Sequence, residues 1–214
     1  KSKYLLSLVL RRDGYSKLPK DNRWGTFPGI SAGWVLSREN FMESCSNVLS
    51  YAKIRASYGA NGNVSGVLDA NGNVVTGLDY YTVQGSYGIM KDKDGKIVPN
   101  YNGKVPLMIN DLPNPTMRWE KSYTFETGFD IGFLNNKYIL NFTYYNRRTQ
   151  DKFAEITLPS HSGVSSFLSN NGEVQNQGME LELTANVLRT KDWKFTVSMN
   201  TAYNKNKIIS LPYN

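Results

Sequence analysis

Between Arg118 and Phe133 the side chains sort into two sets when every second residue is taken. One set reads Trp119, Lys121, Tyr123, Phe125, Thr127, Phe129, Ile131, Phe133. The other reads Arg118, Glu120, Ser122, Thr124, Glu126, Gly128, Asp130, Gly132, without a large apolar side chain. A period of two places the sets on opposite faces of a strand. On a helix Tyr123 and Phe125 would stand about 200° apart, so a helix does not sort them. About 15 residues at ~3.3 Å rise make roughly 50 Å, longer than the ~5–6 residues usual in soluble sheets and ample for the ~9–11 that cross a membrane.

The pattern then repeats. Asn135-Asn136 reads as a tight turn, because Asn tolerates positive φ. Beyond it Tyr138, Leu140, Phe142 and Tyr144 share one face and Asn141, Thr143, Tyr145 and Arg147 the other, with Ile139 an exception. Two long strands, each greasy on one side and wet on the other, joined by a short turn, form the repeating unit of an outer-membrane barrel. The same reading places further strands near 3–12, 29–38, 48–59, 173–188 and 193–206, and extends the fifth strand over 150–158. Connections alternate long (13–28, 60–117, 159–172) and short (39–47, 134–137, 189–192), with a helical turn expected over Ser37 to Phe41. Long connections belong outside the cell and short ones in the periplasm. Lys121, on the greasy face, is expected at the outer rim, where it costs about 0–1 kcal/mol against ~2–4 at mid-membrane.

The fold expected is therefore all-β: an antiparallel transmembrane β-barrel segment of about seven strands, with residues 1–214 forming one partial barrel domain. A hydrophobic fraction of 40% and a mean hydropathy of −0.47 agree with it, since only half of each barrel strand must be apolar. No apolar run is long enough for a membrane helix. No leader-like stretch precedes the first strand, so either it was removed or this is an internal piece of a longer chain.

Candidate chemistry is sparse. Cys45 and His161 are the only residues of their kinds, which leaves no internal disulfide, no Cys/His zinc site and no cofactor motif. His161, between Ser160 and Ser162, reads as a loop residue. The formal charge of +7 favours anions such as lipid headgroup phosphates, an anionic ligand or an acidic partner. The cations are scattered, and no nucleic-acid motif is present. Asp69-Ala70-Asn71-Gly72-Asn73 spaces oxygens somewhat like a calcium loop, but Val74 and Tyr80 stand where the glycine and the bidentate glutamate belong, so it reads as turns. The carboxylates Glu120, Glu126, Asp130, Glu180 and Glu182 fall on the wet faces, and alternation accounts for them without catalysis.

Five stretches together resemble the SusC/RagA-like TonB-linked outer-membrane transporters. They are Arg23 to Trp34 with Ser37-Arg38-Glu39-Asn40-Phe41; Lys53 to Asn63; Asn114-Pro115-Thr116-Met117-Arg118-Trp119-Glu120; Tyr144 to Asp151; and Asn176-Gln177-Gly178-Met179-Glu180. The resemblance implies a plugged barrel of about 22 strands. It also implies import of a nutrient oligomer, glycan or peptide, energised through TonB, with a SusD-like surface lipoprotein as lid. A plug, a TonB-binding segment and the last barrel strands are not found in these residues. A passive porin, an adhesin and a soluble glycan-binding β-sandwich are the rival readings. Within the connection 60–117, Tyr80, Tyr81, Tyr87 and Tyr101 with Lys91 and Lys93 are the candidate partner- or ligand-binding residues. Tyrosine supplies contact area at low entropy cost, and lysine steers an acidic surface.

Overall fold

The computed structural model describes residues 2–68, 74–76, 78, 80–98, 101–164 and 166–211. Seven antiparallel strands form one sheet in the order β1 (Tyr4–Gly14), β2 (Trp24–Trp34), β3 (Leu49–Asn63), β8 (Glu120–Phe133), β9 (Tyr138–Thr157), β10 (Ser166–Arg189), β11 (Lys194–Ser210). The excursion between β3 and β8 carries β4 (Val67–Leu68) paired with β5 (Val74–Thr76), then α1 (Tyr80–Gln84), and β6 (Ser86–Ile89) paired with β7 (Leu107–Asp111). Each wall strand neighbours the next in the chain, as in an up-and-down barrel, and β1 and β11 are the two edges.

Among the described residues no second layer packs over the apolar face. Tyr4, Leu6, Leu8 and Leu10 are each 69–76% exposed. Such a face in water is an association site, unlike the inner faces of a soluble sandwich, which bury each other. A single register row shows how the face is built: Leu8, Ile30, Tyr58, Phe125, Asn146, Gln177 and Lys205 lie side by side across the seven strands. The row begins apolar and ends polar because the apolar band is inclined to it. The band's centre lies near Gly29 in β2 and near Met199 in β11. It has moved about seven residues in five strand spacings, roughly 24 Å along the strands for roughly 24 Å across them. The strands are thus inclined by about 45°, the barrel value. Trp34, Phe133, Tyr138 and Trp193 mark the lower rim of the band, and Trp24 stands at the upper. From Trp24 to Trp34 is about 34 Å along the strand and about 24 Å along the normal, close to the ~25 Å apolar height of outer-membrane barrels.

The turns at the lower end are tight. Leu134, Asn135 and Asn136 all take positive φ (50°, 55° and 59°), the conformation the two asparagines favour. Between β2 and β3 the expected helical turn is two 3-10 segments, Leu36–Arg38 and Asn40–Cys45. Here Glu39 accepts hydrogen bonds from Lys3 Nζ (3.0 Å), Tyr4 Oη (2.9 Å) and Trp34 Nε1 (3.1 Å), fastening the ends of β1 and β2. The indole first, then the Lys3 ammonium and the Tyr4 hydroxyl, hold the Glu39 carboxyl below its ordinary range.

At the upper end the strands run further than the sequence pattern predicts. The connection expected at 13–28 is only 15–23, because Phe27-Pro28-Gly29 lies inside β2. The third strand continues to Asn63 rather than stopping near 59, and the connection expected at 159–172 is shorter, because β9 runs to Thr157 and β10 begins at Ser166. Gly25 and Gly62 look like turn residues but leave the room that Phe27 fills; a Cβ at either would collide with its ring. Trp119 is a second correction. It precedes β8, turns away from the lipid face and is 7% exposed, edge-on to Phe27 at 5.5 Å. Leu18, Phe27, Leu78, Met117, Trp119, Phe153 and Leu168 form the buried cluster, with Tyr15, Ala60, Val64 and Val83 against it. The dry core of the described residues thus sits at the extracellular end, where the connections meet.

Candidate functional site

The face opposite the lipid is polar and concave. Its middle is a hollow of about 870 Å³ lined chiefly by Lys53, Arg55, Asp130, Asn141, Thr143 and Glu180. Register brings them together: Lys53 lies opposite Asp130, Asp130 opposite Asn141, and Asn141 opposite Glu182. Arg55 spans three strands, with Nε 3.3 Å from Asp130 Oδ1 and Nη2 donating to Thr143 Oγ1 at 2.6 Å. It passes over Gly128, where a Cβ would stand 3.3 Å from its Nη2. Asn141 Nδ2 donates to Glu182 Oε2 at 3.3 Å. The Tyr145 ring likewise rests on Gly178, its register partner. Long polar side chains lie flat on a glycine-spaced wall and present hydrogen-bond donors and acceptors to whatever fills the lumen. No group of three or more His, Cys, Asp or Glu residues placed to hold a metal occurs among the described residues. His161 lies in an exposed 3-10 turn, Ser160–Ser162.

At the extracellular end the segment Asn114 to Glu120 works as a clip. Asn114 Oδ1 accepts from Thr116 N–H (3.1 Å) and its hydroxyl (2.7 Å), while Nδ2 donates to Leu168 O (2.9 Å). Asn170 holds the other side, donating to Arg118 O (2.9 Å) and Asp151 O (2.8 Å) and accepting from Arg118 N–H (2.9 Å). Trp119 Nε1 donates to Arg23 O at 3.2 Å. Glu120, 2% exposed, accepts from Asn63 Nδ2 (2.9 Å) and Phe153 N–H (2.7 Å), with Lys152 Nζ at 3.8 Å. The buried polar groups of Asn114, Asn170 and Glu120 are satisfied across four segments distant in sequence, as burial requires, whereas Arg23 Nε is buried without a hydrogen-bond partner among the described residues. Sequence reasoning missed Asn170, Leu18, Leu78 and Leu168. Each sits in polar or irregular sequence, and only the fold shows it to be buried.

The candidate residues of the long connection are distributed along the excursion. Tyr80 opens α1, and Tyr81 in the same helix is 60% exposed. Tyr87 in β6 is 75% exposed. Above it the two arms continue through the bridge Lys91 to Ile97 to a turn in which Asp92 Oδ1 accepts from Asp94 N–H and Lys96 N–H, both 2.9 Å. Lys91 and Lys93 are therefore exposed at the tip, while Tyr101 opens a separate turn, Tyr101–Gly103. The structure gathers Tyr87, Lys91 and Lys93 on one arm and leaves Tyr81 at its base. Asp69 to Asn73, the calcium-like spacing, lies outside the described residues.

A tilted, register-locked sheet with a lipid face, a wet face and a loop core on one end defines a wall of an outer-membrane β-barrel. The family model described as TonB dependent receptor-like, beta-barrel matches residues 1–213, and the chain belongs to that family. It is 33% identical to TonB-dependent receptor P3 of Formosa agariphila over 211 residues, 99% of this chain and 19% of that protein. It is 32% identical to TonB-dependent receptor SusC of Bacteroides thetaiotaomicron, over 98% of this chain and 20% of that protein. The solved structure of the RagAB peptide transporter superposes with a TM-score of 0.79 at 25% identity, over 98% of this chain and 21% of that chain. The siderophore receptor PirA from Pseudomonas aeruginosa matches with a TM-score of 0.56 at 16% identity, a likeness of fold alone. The chain is thus a SusC/RagA-like β-barrel segment of the bacterial outer membrane, spanning about a fifth of the curated relatives it matches.

Proposed function

We propose that these residues form one sector of the wall of a TonB-dependent transporter that imports nutrient oligomers, glycan or peptide, beneath a SusD-like surface lipoprotein. The observation that carries the reading is the match to SusC and to the RagAB peptide transporter across almost the whole chain. The two open edges bear on the domain reading. Unpaired strand edges are not tolerated in lipid, so further strands pair with β1 and β11 in the assembled barrel. The plug and the TonB-binding segment belong, on this reading, to other parts of the polypeptide. The barrel itself is not an enzyme.

The excursion between β3 and β8 is assigned to the lipoprotein or to the ligand beneath it. It is longer than a connection needs, and it presents Tyr81, Tyr87, Lys91 and Lys93 to solvent, with Tyr80 and Tyr101 on the same stretch. Leu78 and Val83 of that excursion belong to the buried cluster and its margin, so a deletion would also unseat the core. The test is the full-length transporter carrying Tyr81→Ala, Tyr87→Ala, Lys91→Glu and Lys93→Glu together. At normal barrel levels in the outer membrane, recovery of the co-purifying lipoprotein should fall at least tenfold and growth on the cognate nutrient should slow. Unchanged recovery with unchanged growth overturns the assignment.

A further inference from the structure

The ladder between β2 and β3 stops half-way up the wall. Its register runs from Trp34 opposite Ile54 to Gly29 opposite Gly59 and goes no further. Both strands continue. β2 stays paired with β1 as far as Trp24 opposite Gly14, and β3 stays paired with β8 as far as Asn63 opposite Glu120. The sequence accounts for the break: Pro28, the next residue of β2, has no N–H to donate, and Gly29 and Gly59 bring no side chains to the last pair. Gly29 lies at the centre of the apolar band and Trp24 at its upper rim, so the unladdered stretch occupies the outer half of the membrane.

Overlap closes this seam. Phe27 has the parity of Gly29 and Ser31, on the lumen face. Ala60, Gly62 and Val64 have the parity of Tyr58, on the lipid face. Yet the Phe27 ring fills the space over Gly62, and Ala60 and Val64 pack against its cluster. The inner face of the β1–β2 hairpin end thus lies on the outer face of β3. Trp119, edge-on to Phe27 at 5.5 Å and to Tyr15 at 6.3 Å, is covered in the same way. The hairpin end closes on itself, with Tyr15 N–H donating to Arg23 O and Asn22 N–H to Pro19 O, both at 3.0 Å. Side chains, not a ladder, join it to its neighbours: Asn22 Nδ2 donates to Met117 O (3.0 Å), Trp119 Nε1 to Arg23 O (3.2 Å) and Lys17 Nζ to Leu78 O (3.2 Å). Just below, the outer side of the seam is an apolar crevice of about 350 Å³ lined by Leu8, Leu10, Pro28, Ile30, Tyr58 and Tyr123.

We infer that the β2–β3 seam is a latch in the wall: above Gly29 and Gly59 the hairpin end undocks from β3 and redocks, while the ladders on either side hold. Parting a ladder in lipid strands its backbone donors and acceptors. Parting this junction gives up only ring packing and a few side-chain bonds, so it is the low-stability element of the sector. Undocking withdraws Leu18 and Lys17 from Leu78 and frees the foot of the excursion. The latch therefore sets how firmly the excursion is held, whatever the excursion binds. A strand that pairs with the free edge of β1 adds to the hairpin's side and leaves the seam itself unchanged.

The test is cysteine reactivity in the full-length transporter freed of its native cysteines, with an impermeant maleimide on intact cells. Leu18→Cys reports on the hairpin end, and Leu168→Cys on the part of the same cluster that β10 carries. Leu18 is 1% and Leu168 8% exposed, so a single rigid cluster would label Leu18→Cys no faster. The latch gives the opposite order, by roughly tenfold or more. Trp119→Phe keeps a ring in the cluster and removes the bond to Arg23 O. It should raise Leu18→Cys labelling about three- to tenfold, the effect of one hydrogen bond, and leave Leu168→Cys unchanged. Heat-modifiable gel mobility reports that each variant is folded; should Leu18→Cys fail this check, Tyr15→Cys makes the same comparison. Equal or reversed labelling rates, or no response of the hairpin cysteine to Trp119→Phe, overturns the inference.

Discussion

Phe142 and Asn141 are adjacent in β9 and face opposite solvents, so the same substitution at each measures the membrane directly. Phe142 stacks on Phe129 of β8 with centroids 5.2 Å apart and planes 24° from parallel. It lies near the middle of the apolar stretch Tyr138 to Tyr144. Phe142→Arg places a guanidinium among acyl chains near mid-membrane, costing about 2–4 kcal/mol, and forfeits the ring pair, about 0.5–1.5 kcal/mol more. The sum, about 3–5 kcal/mol, is comparable to much of a domain's net stability. Asn141→Arg puts the same group in the lumen between Asp130 and Glu182, its register partners, and should change stability by no more than about 0.5 kcal/mol. Thr143 is the poorer lumen control, because an arginine there would meet Arg55, whose Nη2 already bonds to the Thr143 hydroxyl. The assay is the amount of folded, heat-modifiable full-length barrel in the outer membrane at matched synthesis. Phe142→Arg should be severely depleted and Asn141→Arg near normal. Equal levels of the two, high or low, would refute the facing assignment and with it the membrane embedding.

Asn170→Ala removes three hydrogen bonds and leaves the part-buried Arg118 N–H, Arg118 O and Asp151 O groups without that partner. It should loosen the extracellular cluster by about 1–3 kcal/mol, read as faster limited proteolysis of the connections at 15–23 and 158–164 with barrel assembly unchanged. The Glu39 clamp should be acid-sensitive. Because its carboxyl is held below the ordinary value of 4.5 in the folded state, the contribution is fully present above that value and is lost as pH falls through the depressed one. Protection factors at the lower ends of β1 and β2, referred to the intrinsic exchange rate at each pH, should therefore fall on acidification in the wild type, whereas Glu39→Gln should show no such step.

Strand faces were legible because their signal is local. A period of two needs only the strand itself, and Tyr138 through Tyr144 states it without reference to any neighbour. The tight turn was legible for the same reason, since Asn135 and Asn136 carry positive φ on their own account. The upper strand ends were not legible. Gly25, Pro28 and Gly62 are turn residues by composition. Their role depends on the Phe27 ring, which occupies the space over Gly25 in its own strand and Gly62 in the next. Trp119 keeps the parity of the lipid face in sequence, yet it belongs to the core, because the strand starts one residue later and a buried partner set awaits the indole. Of the candidate site, the wet-face residues Lys53, Arg55 and Asp130 were legible singly. Their pairings were not, because those depend on register across strands that are far apart in the chain.

The five stretches that carry the family resemblance prove to be joints of the wall. Trp34 and Glu39 bond to each other at the periplasmic end. Asn114, Trp119 and Glu120 close the extracellular end. Tyr145 rests on Gly178, one motif against another. Each of these contacts is made inside the wall, while Lys53, Arg55 and Glu180 of the same stretches line the lumen hollow. If the segment serves the transport proposed above, cargo discrimination falls to the hollow around Arg55 and Asp130 and to the exposed excursion from Tyr81 to Lys96. Exchanging that excursion between two family members, with Leu78, Val83 and the Asn114 to Glu120 clip kept in place, is the exchange most able to alter partner or cargo choice while preserving the fold. An exchange of the clip residues should do the reverse, lowering stability without moving specificity.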